Sequence, residues 1–388
     1  MTCTYDLLIL LLAIMAAGGF VYYLLALSSI HRFGQKCASA PQKPELLPPM
    51  SLLKPLCGIE PGLEENLESF FGQDYPEFEI LFSVQGGDDP AVEVARQLME
   101  RYPQIPAQLL VTGESAYANA KVHGLEKLSQ AARHEILVIT DSDVSVDRSY
   151  LSAMAESFEP SEVGAVTNLY RGGEVQEFWS KLEALGMSME FMAGVIVAER
   201  LEGMKFMLGP SMAVRKSCLQ AIGGFAVLAD YLADDFVLGE RIAAAGFRVV
   251  LSSYVVDHHA YSTGFLHSFK HRLRWNRSAR FSRPAGYWGQ GFTYGLAWAL
   301  MLCLAAPSFW TLLVLLGTLS LRLWLAWALG RGLLNDPLAG RNIRLVPIQD
   351  LLSFTTWIGG FVGREIVWRE RHYRLLRKGK FAPLDQSP

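Results

Sequence analysis

Two carboxylates, Asp141 and Asp143, flank Ser142 directly after the apolar run from Glu135 to Thr140. At this spacing, just past a buried strand, they can converge on one divalent ion. Mg²⁺ or Mn²⁺ is hard and takes oxygen ligands, phosphate oxygens among them. Such an ion offsets charge on a departing diphosphate. An acidic pair alone is a common loop feature; the strand before it gives this one weight. A second pair, Asp234-Asp235, opens a segment in which Leu238, Ile242 and Phe247 suggest a helix. One of these carboxylates could take the proton of an attacking hydroxyl. The plainer reading is an acidic helix start, favoured by the dipole.

Other residues offer binding chemistry. Asp88 and Asp89 follow the strand-like run Phe78–Val84 and could accept hydrogen bonds from a base or ribose. They equally suit a helix cap before Ala91. Lys121 could approach a diphosphate as a cation. His271, Arg272, Arg274 and Trp275 form a cationic, aromatic cluster suited to phosphate and to a sugar or lipid. His258 and His259 read as structural.

The elements that must position these groups are legible in the periodicity. Strands are expected at Ser51–Leu53, Phe78–Val84, Ala107–Val111 and Glu135–Thr140. Helices are expected at Leu63–Phe71, Ala91–Arg101 and Lys121–Ala131, with a further one over Val175–Glu190. The alternation predicts a parallel, three-layer α/β sheet, whose ligands bind at the carboxyl ends of its strands. Asp88-Asp89 and Asp141-Ser142-Asp143 fall at such ends. No Gly-x-Gly-x-x-Gly follows a strand, and no Gly-Lys-Ser/Thr loop is present.

The chain has 388 residues, a formal net charge of -3 and a hydrophobic fraction of 51%. Nothing in this balance suggests a nucleic-acid partner. Its five cysteines have no metal-knuckle spacing and read as reduced thiols. The apolar excess lies at the two ends. Leu7–Leu27 is uncharged and long enough for one crossing. His31, Arg32, Lys36 and Lys43 follow it and place that side in the cytoplasm. Phe292–Phe309 and Trp310–Leu329 are expected as a membrane hairpin bent near Pro307, with Arg322 facing protein or snorkelling. Leu351–Val367 is expected to be re-entrant or interfacial, because a full crossing would carry the basic tail outside.

Taken in order, Lys54-Pro55-Leu56-Cys57-Gly58, Val84-Gln85-Gly86-Gly87-Asp88-Asp89-Pro90, Asn119-Ala120-Lys121, Asp141-Ser142-Asp143, Ala233-Asp234-Asp235 and Arg274-Trp275 form one set. Tyr373-Arg374-Leu375 adds a weaker match. This set resembles family 2-like inverting glycosyltransferases with a GT-A fold, above all ceramide glucosyltransferases and the bacterial hopanoid-associated glycosyltransferases. The resemblance implies a GT-A-like nucleotide-sugar-binding domain with an N-terminal transmembrane helix and C-terminal membrane helices. It implies a UDP-sugar donor, a membrane lipid acceptor and Mg²⁺ or Mn²⁺.

By the same resemblance, Asp88 or Asp89 reads the nucleotide, and Asp141 and Asp143 hold metal and diphosphate. Asp235, paired with Asp234, is the general base. Lys121 and Arg274 stabilise the diphosphate, while Trp275 helps shape the acceptor site. His271 departs from the Gln/Arg that opens this motif in the family. The implied reaction is UDP-glucose to ceramide; the alternatives are UDP-N-acetylglucosamine to a hopanoid polyol, and a processive polysaccharide synthase. The expected layout is a membrane anchor (1–30), a linker (31–50), a catalytic domain (51–284) and a membrane hairpin (285–330). An amphipathic or re-entrant region (331–368) and a basic tail (369–388) complete it. The catalytic domain is expected to face the cytoplasm, at a bacterial inner membrane.

Overall fold

A computed structural model describes residues 2–38, 47–173, 175–369 and 371–384. Of the expected linker 31–50, residues 39–46 lie outside the described residues. The chain begins with helix α1 (Thr2–Ala38), then enters an α/β region. Strands β1 (Met50–Pro55), β2 (Phe78–Val84), β3 (Ala107–Val111) and β4 (Ile136–Thr140) alternate with helices α2 (Leu63–Phe71), α3 (Ala91–Arg101) and α4 (Ala120–Ala131). β1 pairs in parallel with both β2 and β4, and β2 with β3. Every residue of β2 and β4 is buried, which suits a sheet covered on both faces.

The second half of the sheet departs from the parallel expectation. The two-residue strand β5 (Val144–Ser145) is followed by α5 (Tyr150–Ser157) and β6 (Val163–Gly172). After α6 (Phe178–Gly186) and α7 (Met192–Glu202) come β7 (Ser211–Arg215) and, past α8 (Lys216–Ala221) and α9 (Asp234–Ala244), β8 (Arg248–His258). The eight-stranded order is β3-β2-β1-β4-β7-β6-β8-β5. β7 runs antiparallel to both β4 and β6, so the sheet is mixed. The helix expected over Val175–Glu190 starts at Phe178 and passes through a π-helical turn, Met187–Phe191, into α7.

The rest of the chain builds a helical layer. α10 (Phe265–Ser282) and α11 (Pro284–Gly289) lead to α12 (Gly295–Ala305), and α13 (Phe309–Trp327) returns from it. The turn carries Pro307, and Ser308 caps α13 by accepting from Thr311 N–H at 3.1 Å. Among the described residues two helices are long and apolar enough to cross a membrane, over Thr4–Ala38 and Phe309–Leu333. α12 has 11 residues and spans about 16 Å, short of the ~30 Å hydrocarbon core. α1 crosses α12 at backbone contact: a Cβ on Gly19 would collide with Gly295 Cα. The outer faces of α1 and α13 are apolar and exposed, with Leu7, Leu10, Ile14, Trp310 and Leu313 among them.

Arg322 faces protein. It is buried and makes a two-pronged ion pair with Asp350, with Nε at 2.7 Å and Nη2 at 2.8 Å. Asp350 lies on α15 (Val346–Gly360), which follows the short helix α14 (Pro337–Asn342). α15 packs against α10 and α6 and stops at Gly360. The expected apolar segment Leu351–Val367 is therefore divided between a helix and a strand. β9 (Glu365–Trp368), β10 (Arg371–Leu375) and β11 (Phe381–Pro383) form an antiparallel sheet where the sequence suggested a charged tail. Ile366, Tyr373, Leu375 and Phe381 give it a small core, and Phe381 N–H donates to Asp230 O at 2.8 Å.

Candidate active site

A cavity of about 1950 Å³ opens at the carboxyl ends of β1, β2 and β4 and extends under the helical layer. Asp141, Asp143, Asp234, Asp235, Lys121, His271, Arg274 and Trp275 all line it. Asp88 and Asp89 do not. Asp88 is exposed, and Asp89 Oδ1 accepts from Gly58 N–H at 3.0 Å and from Ala91 N–H at 2.9 Å. Asp89 thus ties the Lys54–Gly58 segment to the start of α3. Gln85, Gly113 and Ser115 occupy the cavity wall at that edge.

The Asp141–Asp143 loop is held from four sides. Lys121 Nζ lies 2.6 Å from Asp141 Oδ1. Lys54, fully buried, donates to Asp141 O at 3.0 Å and sits 3.5 Å above the Phe70 ring. Ser142 Oγ donates to Glu60 Oε2 at 2.9 Å. On the far side β5 pairs with the end of β8, which sets His258 Nε2 3.2 Å from Asp143 Oδ2. Burial opposes the Asp143 charge, but His258 outweighs it and draws the carboxyl down to about 2. Burial lowers the Lys54 ammonium to about 7 against the pull of Asp141 and Asp143. For Lys121 burial is outweighed by Asp141, Asp234 and Asp235, which hold it above its usual range.

Among the described residues no group of three or more His, Cys, Asp or Glu could hold a metal unaided. The loop still fits one. Asp143 Oδ1 is buried with no hydrogen-bond partner, and two carboxylates completed by substrate phosphates suit Mg²⁺ or Mn²⁺.

Asp235 faces this loop across Gly209. Its Oδ2 accepts from Gly209 N–H and its Oδ1 from Phe236 N–H, both at 2.7 Å. Burial, and then Asp234, push its carboxyl up to about 6, the range of a general base at neutral pH. Burial also raises Asp234. Asn119 caps α4 and donates to Asp234 Oδ1 at 3.4 Å, linking the Asn119-Ala120-Lys121 motif to the second acidic pair.

His271 stands against the buried Glu183, with its ring 4.6 Å from that of Trp275. Burial opposes the Glu183 charge, but His271 and Ser262 hold the carboxyl near about 2. Burial also lowers Arg274, to about 10, against the pull of Glu183. Lys54, Glu183 and, as a partner of Asp143, His258 belong to the site without standing out in the sequence. The Lys54-Pro55 motif was the available signal for the first; nothing in the sequence marked the pairing that delivers the third.

The chain belongs to glycosyl transferase family 21, whose model matches residues 11–381. It is 29% identical over 248 residues to ceramide glucosyltransferase 1 of Caenorhabditis elegans, covering 64% of this chain and 52% of that protein. It is 37% identical over 117 residues to the ceramide glucosyltransferase of Komagataella phaffii (strain GS115 / ATCC 20864), covering 29% of this chain and 23% of that one. The chain thus spans about half the length of the nematode relative. Among solved structures it shares its fold with the mannosyltransferase PcManGT from Pyrobaculum calidifontis in complex with GDP-Man and Mn²⁺. The TM-score is 0.50 at 20% identity, covering 89% of this chain and 99% of that one.

Proposed function

We propose that this chain is an inverting, GT-A-like transferase that moves a sugar from a nucleotide-sugar donor to the hydroxyl of a membrane lipid. UDP-glucose and ceramide are the preferred pair. The observation that carries the reading is the meeting of Asp235 with Asp141, Asp143 and Lys121 in one cavity that continues beneath the apolar helices. The ceramide glucosyltransferases among its relatives support the choice of acceptor.

In this reading the nucleotide diphosphate lies beside Asp141 and Asp143, which would hold Mg²⁺ or Mn²⁺. The bound ion supplies positive charge to the leaving diphosphate. Lys121 and Arg274 add fixed cations there. The acceptor oxygen attacks the anomeric carbon, and its proton passes to Asp235. The bond from the anomeric carbon to the diphosphate breaks, and its electron pair leaves with the nucleotide. One displacement inverts the anomeric centre, giving a β-glycoside from an α-linked donor. The exposed apolar faces of α1 and α13 sit in the membrane and keep the cavity mouth at its cytoplasmic face, so the lipid need not leave the bilayer. The catalytic domain is 51–284, with the strands after Gly360 closing one side of it.

The test is transfer in detergent with Mg²⁺ or Mn²⁺, pairing UDP-glucose or UDP-N-acetylglucosamine with ceramide or bacteriohopanetetrol. Lipid products are read by mass spectrometry, with Asp235→Asn as control. A hexosyl-ceramide lost in the control supports the reading. An N-acetylhexosaminyl-hopanoid keeps the mechanism and changes the substrates. No glycolipid from any pair, despite donor binding, overturns it.

A further inference from the structure

Beyond the donor and the base, the cavity has an inner arm that the mechanism above does not use. It lies where α15 packs against α6 and α10. Gln349 on α15 is fully buried and lines the cavity. Its Nε2 donates to Ser353 Oγ at 2.8 Å, but its Oε1 has no partner. Arg272 on α10 is 6% exposed and lines the same arm. Its Nε donates to Ser268 Oγ at 3.2 Å and its Nη1 reaches Ser353 Oγ at 3.5 Å, while Nη2 has no partner. Gly186 permits this approach: a Cβ there would collide with Gln349 Nε2 and lie 3.3 Å from Arg272 Nη1.

Buried polar groups are paired in nearly all folded proteins, so two open ones in one arm call for a ligand. Their chemistry is complementary. Arg272 offers an N–H and Gln349 offers an amide oxygen, and a hydroxyl or an amide can satisfy both at once. Charge narrows the choice. The carboxylates of Glu183 and Glu190 both act on the Arg272 guanidinium. A phosphate in this arm would meet them, whereas an uncharged headgroup would not. Tyr287 and Tyr294 also line the cavity, and they pack with Phe354, Trp357 and Ala297 of α12 into a buried, mostly aromatic cluster beside it.

We propose that this arm seats the uncharged polar headgroup of the lipid acceptor, with Arg272 donating to its oxygen and Gln349 accepting from its hydroxyl or amide. The assignment rests on the lipid-transfer reading above. It selects acceptors rich in hydroxyl or amide groups over simple alcohols and over polyprenyl phosphate.

The experiment uses the full chain in detergent, wild type and Arg272→Met and Gln349→Leu. It measures acceptor KM for ceramide or bacteriohopanetetrol, whichever is used, beside a long-chain primary alcohol and polyprenyl phosphate. UDP-sugar Kd is measured separately without acceptor. Each substitution is expected to raise KM for the polar lipid by about tenfold or more. Donor Kd should stay within about twofold, and most of the advantage over the simple alcohol should vanish. An unchanged KM, or a donor Kd weakened by the same factor, overturns the proposal. Should a variant not fold, the wild type decides: equal KM for polar lipid and simple alcohol, or a preference for polyprenyl phosphate, also overturns it. Donor binding with no transfer to any lipid would remove the functional reading itself, and this assignment with it.

Discussion

Gly209 N–H donates to Asp235 Oδ2 at 2.7 Å, and the Cβ that this glycine lacks would lie 3.0 Å from that oxygen and 3.7 Å from Asp141 Oδ2. The residue is a spacer between Asp235 and the Asp141–Asp143 loop. Gly209→Ala should push the Asp235 carboxylate out of line while leaving the following strand β7 in place. A displacement of this kind is expected to lower kcat by roughly tenfold to a hundredfold. Steady-state kinetics with a thermal melt checks it. Unchanged kcat in a folded variant would mean that the separation of the two acids is not critical.

As the proposed base, Asp235 should also set a pH limit. Its carboxyl, raised to about 6 by burial and Asp234, must be ionised to accept a proton. Activity should therefore fall as pH drops through about 6 and hold above it. Removing a neighbouring negative charge stabilises the ionised form, so Asp234→Asn should shift that limb to lower pH. Asp235→Asn should cost about 10²–10⁴-fold in kcat at every pH. A pH profile whose acid limb ignores Asp234→Asn would place the titrating group elsewhere.

His258 orients Asp143 through a 3.2 Å contact to Oδ2, leaving Oδ1 open. Groups that orient a metal-binding carboxylate matter nearly as much as the carboxylate. Activity should vanish on chelation with EDTA and return with Mn²⁺ or Mg²⁺. In His258→Phe the Mn²⁺ concentration for half-maximal rate should rise by about 10–100-fold, with His258→Asn falling between. A metal titration reads this directly. Equal midpoints in all three proteins would reduce His258 to a packing role.

The first half of the sheet was legible because its elements follow simple periods. Leu63–Phe71, Phe78–Val84, Ala91–Arg101 and Ala107–Val111 are bounded as the sequence suggested, with Leu63, Leu67, Phe70 and Leu98 facing in, although Val111 at the end of β3 is exposed. The second half was not. β6 is buried along nearly its whole length and includes Thr167 and Asn168, whose side chains bond within the interior. Neither alternation nor an apolar run announces such a strand. His258 reaches Asp143 only because the two residues Val144-Ser145 pair with the end of β8. So short a strand has no pattern of its own. The strands after Gly360 were masked by their charge: Arg371 is exposed and Arg374 half-buried, while Tyr373 and Leu375 are buried. The acidic motifs were legible as types, but their convergence depends on Gly209, which carries no side chain to advertise it.

The helical layer has its own test. Arg322 on α13 and Asp350 on α15 are 3% and 6% exposed, and the guanidinium lies 5.9 Å from the centre of the Tyr23 ring on α1. The pair therefore joins three helices from sequence-distant parts of the chain. Withdrawing two charges from water costs nearly as much as their attraction returns, so the pair adds little net stability. Breaking it is another matter, because the remaining charge is buried without a partner. Arg322→Met alone should destabilise the protein by about 3–5 kcal/mol. The double change Arg322→Met with Asp350→Leu should recover most of that loss, since neither charge remains. Thermal melts of the three proteins in detergent, followed by tryptophan fluorescence, give the order. If the double variant melts as low as Arg322→Met, the pair contributes attraction well beyond its desolvation cost and is a true stabilising clamp.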